Sequence, residues 1–178
     1  MTRVLVSAAS RHGSTTEIAE AIARGLHGHG IEADAVPPEQ VEVTSDYDAF
    51  VIGSALYVGH WLEPAIELCE RLGPDLAGRP AWLFSSGPVG PPESSFAKKM
   101  WTDPVDLERV RQATGAAEHR MFAGKLVRSE LSRAQRAALF FFRRLDGDYR
   151  DWDEISAFAN EVAGALGAPR ADRIRTRR

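Results

Sequence analysis

Four hydroxyls gather near the start of the chain, at Ser10, Ser14, Thr15 and Thr16, around Gly13. An apolar strand pattern leads into them (Val4, Leu5, Val6), and a helical pattern follows at once (Ile18, Ala19, Ile22, Ala23, Leu26). Backbone N–H groups at a helix start are unpaired and carry partial positive charge, so they favour an anion. Hydroxyls add donors, and a glycine lets the backbone close around a bound group. That combination is a phosphate cradle. The alternative is an ordinary helix start capped by Ser14 or Thr15. A Walker-type loop requires Lys followed by Ser or Thr after its last glycine, and none stands here. A dinucleotide fingerprint requires three glycines, and only Gly13 is present. A hydroxyl-rich loop of this kind suits a monophosphate held by neutral donors.

The other residues able to do chemistry are few. His60 follows Gly59 in a loop, and its intrinsic pKa suits proton exchange near neutrality. It is the candidate catalytic residue, or it simply fills a helix start. His27 and His29 end a helical pattern, where they suit the dipole; His119 precedes a strand and is assigned no role. The single cysteine, Cys69, lies in an apolar helical pattern (Ile66, Leu68, Leu72), so it has no internal disulfide and reads as a buried thiol. No His, Cys or carboxylate cluster has metal-ligand spacing, and no nucleophile–base pair can be placed.

These residues need a scaffold to position them. The chain has 178 residues, the size of one compact unit. A net charge of −3 gives no pull toward nucleic acid. No apolar run approaches the ~20 residues of a membrane span. A strand beginning almost at Met1 leaves no room for a signal peptide, so the expectation is a cytoplasmic protein. Strands are expected at 3–8, 31–36, 49–53, 81–85 and 119–126, and helices at 14–28, 61–73, 104–114, 130–145 and 152–166. The continuous apolar run at 49–53 suggests burial on both faces. Such alternation implies a parallel sheet covered on both sides. Ligands of such sheets bind beyond the carboxyl ends of the strands. The loops there are ligand-ready: Gly53-Ser-Ala-Leu-Tyr-Val-Gly-His-Trp61 and Ser85-Ser-Gly-Pro-Val-Gly-Pro-Pro92 could clamp a flat ring while the first loop holds phosphate. A phosphorylated receiver domain would need Asp at the end of the third strand, and Gly53-Ser54 stands there.

With these loops the chain resembles the flavodoxin family over nearly its whole length. The family's phosphate loop, Thr/Ser-x-Thr-Gly-x-Thr, is matched by Ser10-Arg11-His12-Gly13-Ser14-Thr15, with His12 in place of a hydroxyl. Its second loop, Gly-x-Ser-Thr-aromatic-Gly, is matched by Gly53 to Gly59, with Val58 where many members stack an aromatic on the flavin. The resemblance implies an α/β fold with a doubly wound five-stranded parallel sheet, order 2-1-3-4-5, in one domain over 1–167. It implies bound FMN, with the phosphate on Ser10, Arg11, His12, Gly13, Ser14 and Thr15. The ring would lie between Ser54, Ala55, Leu56, Tyr57, Val58 and Gly59 on one side and Ser86, Gly87, Pro88 and Gly90 on the other. It also implies a peptide near Gly59 that contacts flavin N5, with stacking either shifted to Tyr57 or Trp61 or weaker.

A narrower resemblance is to the menaquinone-dependent protoporphyrinogen oxidase branch of the flavodoxin-like proteins. It rests on the order of Ser10-Arg-x-Gly13, Val51-Ile-Gly53, Gly59-His60, Ala123-Gly-Lys-Leu126 and a basic aromatic insertion before Asp151-Trp152. It implies an FMN-dependent oxidoreductase that passes electrons from a reduced planar substrate to a quinone or another redox-partner acceptor. The insertion at about 128–148 carries Leu131, Ala134, Ala138, Phe141, Phe142 and Leu145 on one helical stripe and arginines mainly elsewhere. Such a helix packs on the sheet, or lies at the inner face of a membrane, or faces an acidic substrate. The tail 168–178 carries five arginines (Arg170, Arg173, Arg175, Arg177 and Arg178) and little apolar content, and is expected to be disordered. Two other functions stay open: an electron carrier with no substrate of its own, and a partner-binding module that has lost flavin. Association of two copies is compatible with either.

Overall fold

The structure is a computed structural model that describes residues 2–76, 78–87, 89, 101–126 and 146–167. Five parallel strands form its centre: β1 (Arg3–Ala9), β2 (Glu32–Ala35), β3 (Ala49–Tyr57), β5 (Ala81–Ser86) and β6 (Glu118–Phe122). They lie in the order β2-β1-β3-β5-β6, which is the expected 2-1-3-4-5 sheet, and a short β4 (His60–Trp61) pairs with β3. Parallel strands need crossovers, and the helices supply them: α1 (Ser14–Gly28), α2 (Glu63–Leu76), α3 (Leu107–Thr114) and α4 (Trp152–Gly167).

Side chains alternate across each strand, so the sheet is buried on both faces. Val4, Val6 and Ala8 of β1 face α1 and α4, packing with Ile18, Ile22 and Phe158. Leu5 and Ala9 face the other layer, with Ile66, Leu72 and Val110 of α2 and α3. The apolar spacing in α1 that reads as a helix in the sequence is the stripe that is buried here: Ile18, Ile22 and Leu26. Cys69 lies in the α2 layer, where burial pushes its thiol up to about 12 and keeps it an unreactive packing group.

Several boundaries differ from the sequence expectation, among them the start of α3, at Leu107 instead of 104. β3 does not stop at Gly53 but runs to Tyr57 and turns back into β4. This moves the start of α2 from 61 to Glu63, and α2 carries Pro74 inside its last turn. The expected strand 119–126 is divided: β6 ends at Phe122, and β7 (Lys125–Leu126) leaves the main sheet to pair antiparallel with β8 (Gly147–Asp148). The expected helix at 130–145, most of the 128–148 insertion and the 168–178 tail lie outside the described residues. Among the described residues no helix is long and apolar enough to cross a membrane.

Candidate functional site

The sheet brings the three loops to one edge. Ala9 pairs with Ser54, Ser54 with Ser85, and Ala55 with Ser86, so β1 and β5 end nearly level and β3 runs on past both to Tyr57. The first loop turns at Gly13, which holds φ 80° at the N-cap of α1. An L side chain there would be strained, and glycine is not. Neither Ser14 nor Thr15 caps the helix; Ser10 Oγ instead accepts the Thr15 N–H at 3.2 Å. The Thr15 side chain is fully buried, and its Oγ1 has no hydrogen-bond partner among the described residues. A buried hydroxyl left unpaired costs about 1–3 kcal/mol. A Cβ placed on Gly13 would meet nothing within 4 Å, so the loop mouth is open. An open helix start, a glycine turn and an orphan buried hydroxyl fit a phosphate group.

The second loop is a hairpin turn. Tyr57 pairs with His60 across Val58 and Gly59, whose φ values are 54° and 81°. Two successive positive φ values are what a type I′ turn requires, and they suit Asn-Gly better than Val-Gly. A β-branched residue in this region is strained, yet Val58 is also 93% exposed. The strain is held from outside by the segment ahead of α3. Val105 N–H donates to the Gly59 carbonyl at 2.9 Å. The Asp106 carboxylate accepts the Trp61 N–H at 2.9 Å and lies 3.2 Å from His60 Nδ1. His60 itself is half-exposed at the rim, its ring oriented by that carboxylate.

The remaining residues of this loop differ in what they offer. Ser54 is buried, and its hydroxyl donates to the Ala55 carbonyl and accepts the Leu62 N–H, so it shapes the hairpin from within. Ala55 is buried, and Leu56 and Tyr57 are half-buried. Trp61 is buried with its indole N–H given to Ser85 Oγ at 2.8 Å, which removes it as a stacking surface. Tyr57 keeps that possibility, and the Arg11 guanidinium lies 4.4 Å from its ring centroid, joining the first loop to the second. Ser86 and Gly87 are buried at the end of β5, and the Gly87 N–H donates to the Phe122 carbonyl. Pro88 and Gly90 lie outside the described residues. His12 is exposed beside Gly13.

Behind the hairpin runs a polar chain. Ser85 Oγ receives the Trp61 indole and lies 2.8 Å from His119 Nε2; His119 Nδ1 is 3.6 Å from Asp103. Serine, histidine and aspartate follow one another as in a nucleophilic triad, but Ser85 is fully buried and already bonded, so the chain holds Trp61 in place. The His119 side chain is 3% exposed. Burial is the main cause that pushes its pKa down, with Asp103 opposing and Arg111 adding to the shift. Above its ordinary value of about 6.5 the ring is neutral in both states and its contribution to stability is whole. As pH falls below that, the unfolded chain takes the proton first and stability is lost until the folded-state pKa is passed. His119→Gln is therefore expected to flatten the loss of stability between about pH 7 and pH 5, read from urea midpoints. Equal slopes for the two proteins would contradict a buried neutral ring.

A flavodoxin domain model matches residues 5–153. The chain belongs to the flavodoxin domain family. It is a flavodoxin-like flavoprotein with the fold of known flavodoxins. It is 25% identical to the protoporphyrinogen IX dehydrogenase [quinone] of Escherichia coli strain K12, over 94% of this chain and 98% of the relative. Among solved structures it is similar to oxidised flavodoxin 1 from Bacillus cereus, with TM-score 0.59 and 16% identity, over 94% of this chain and 100% of that one. It is also similar to the rubredoxin oxygen:oxidoreductase of Desulfovibrio gigas, with TM-score 0.61 and 16% identity, over 93% of this chain and 36% of that one. The chain thus spans about a third of that larger protein.

Several residues around the flavodoxin-type site escape a sequence reading. Asp106, Ser85 and His119 act through partners 16 to 46 positions away. Arg150 reaches the first loop from 136 positions downstream. An acid beside a helix start is the one local signal, and at Asp106 it reads equally well as an ordinary first-turn acid.

Proposed function

We propose that this flavodoxin-domain protein binds FMN and passes electrons from a reduced organic substrate to a quinone-type acceptor. Protoporphyrinogen IX is the first candidate substrate. The observation that carries the cofactor assignment is the orphan Thr15 hydroxyl in a glycine-turned helix start, which suits a phosphate. Riboflavin has none to offer. The substrate and acceptor are taken from the Escherichia coli relative, whose name gives both. Bound FMN would supply the redox chemistry.

The chain's own residues would bind, orient and shield. Ser10, Gly13, Ser14 and Thr15 would hold the phosphate with hydroxyls and helix-start N–H groups. Tyr57 to Gly59 and the Ser86-Gly87 loop would flank the ring. Asp106 fixes the His60 ring through Nδ1, so a proton would be held or released at Nε2. A pure electron carrier is the competing reading, and carriers of this kind rely on strongly acidic surfaces to steer partners; a net charge of −3 with a basic insertion argues against it. The insertion at 131–145 would contact the membrane or the quinone.

The test is anaerobic oxidation of protoporphyrinogen IX by the FMN-loaded protein with a soluble quinone, followed by porphyrin fluorescence. Quinone-dependent turnover above that of free FMN is expected, with His60→Ala lowering it by about a hundredfold if the ring exchanges a proton during the reaction. No turnover above free FMN would overturn the substrate assignment.

A further inference from the structure

Arg150 is a buried cation, with a side chain 2% exposed. It stands between three parts of the fold. Its Nη1 donates to the Ser14 carbonyl at 3.0 Å and meets Glu17 Oε2 at 2.7 Å. Its Nε and Nη2 form a fork on Asp148, at 2.8 and 2.6 Å. Its guanidinium lies 4.5 Å from the centroid of the Trp152 ring, where α4 begins. Asp148 belongs to β8, whose partner β7 holds Lys125, itself 3.7 Å from Glu17. The fork holds the Asp148 carboxyl below its usual range, through the hydrogen bond first.

The Ser14 carbonyl is half of the peptide whose N–H belongs to Thr15. That N–H is bonded to Ser10 Oγ. Hydrogen bonds in series polarise one another. A cation on the carbonyl makes the N–H a better donor, and a hydroxyl that accepts a stronger bond becomes a better donor in turn. A Ser10 hydroxyl polarised in this way would offer its own proton more strongly to a bound anion.

We propose that Arg150 is a positioning residue for the phosphate cradle, acting on Ser10 through the Ser14–Thr15 peptide. The inference rests on the reading of Ser10 to Thr15 as a phosphate site. The cluster of Arg150, Lys125, Glu17 and Asp148 balances two positive against two negative charges. Arg150 therefore acts by orientation and polarisation, and Glu17, on the first turn of α1, opposes an incoming phosphate. The two residues should move phosphate affinity in opposite directions, which a purely structural brace would not do.

The experiment compares FMN and riboflavin binding to the apo full-length chain by fluorescence quenching, with melting temperature recorded for each protein. Arg150→Met is expected to weaken FMN by about tenfold, the equivalent of one charge-assisted hydrogen bond, with riboflavin changed less than about twofold. Glu17→Gln keeps an acceptor for Arg150 and removes the charge. It should tighten FMN by about two- to fivefold, less at high salt, and leave riboflavin unchanged. Should Arg150→Met fail to fold, Arg150→Lys replaces it: it keeps the charge but loses the fork that sets the contact to the Ser14 carbonyl, and a fall in the FMN-to-riboflavin affinity ratio is again expected. An unchanged FMN-to-riboflavin ratio, or a weaker FMN affinity in Glu17→Gln, overturns the proposal. A wild-type protein that binds both flavins equally contradicts the phosphate site instead.

Discussion

Gly13→Val is expected to abolish FMN retention while leaving the fold intact. Gly13 holds φ 80°, where a β-branched residue costs on the order of 1–3 kcal/mol. That cost falls on an exposed loop and leaves the core untouched. The added Cβ would meet no protein atom within 4 Å, so the damage is confined to the strained turn that shapes the cradle. Relaxing the strain would shift the Ser14 and Thr15 N–H groups as well. The check is apo-protein titration with FMN beside a thermal melt. Loss of affinity by about two orders of magnitude or more, with a modest fall in melting temperature, is the expected pair of results. Wild-type affinity in the variant would show that the cradle lies elsewhere.

The second large effect lies under the site. Gly53 sits in β3 beside Phe84, and a Cβ there would lie 2.3 Å from the Phe84 ring. The ring has nowhere to go. It packs against Phe122 at 5.8 Å between centroids, and Phe122 packs on Phe158 at 5.7 Å. Gly53→Ala is therefore expected to destabilise the protein by about 1–3 kcal/mol through overpacking. Against the few kcal/mol that hold a domain together, this is a large fraction. Phe84→Leu should relieve part of it, so the double variant should be more stable than the sum of the two single losses. Additivity to within about 0.5 kcal/mol in urea unfolding would contradict the contact.

The same residues show what a sequence discloses. The continuous apolar run Ala49 to Ile52 marks a strand buried on both faces, and so it is. The stripe of Ile18, Ile22 and Leu26 marks α1 for the same reason of period. The strand order follows from the family resemblance. The extension of β3 to Tyr57 is hidden because Val58 is a poor residue for a two-residue turn, and local propensity gives no warning of it. The turn is held by Val105 and Asp106, which are far away in sequence. The fifth expected strand reads as one piece, yet it divides after Phe122 because Lys125 and Leu126 find partners in Asp148 and Gly147. At the cradle, the alternative of an ordinary start capped by Ser14 or Thr15 fails: Ser10 accepts the Thr15 N–H, and the Thr15 hydroxyl has no partner among the described residues. Arg150 has no motif around it; its role depends on contacts that only the fold creates.

Flavin binding by the wild-type protein decides whether Ser10 to Thr15 form a phosphate cradle. The visible spectrum of the purified protein comes first, followed by titration of the apo form with FMN and with riboflavin. A bound flavin spectrum, with FMN held at least about tenfold more tightly than riboflavin, is the result this account predicts for a phosphate seated on Ser10 to Thr15. No flavin at purification and no binding of either on titration would contradict it, and would leave a flavodoxin-like scaffold whose open helix start serves another ligand.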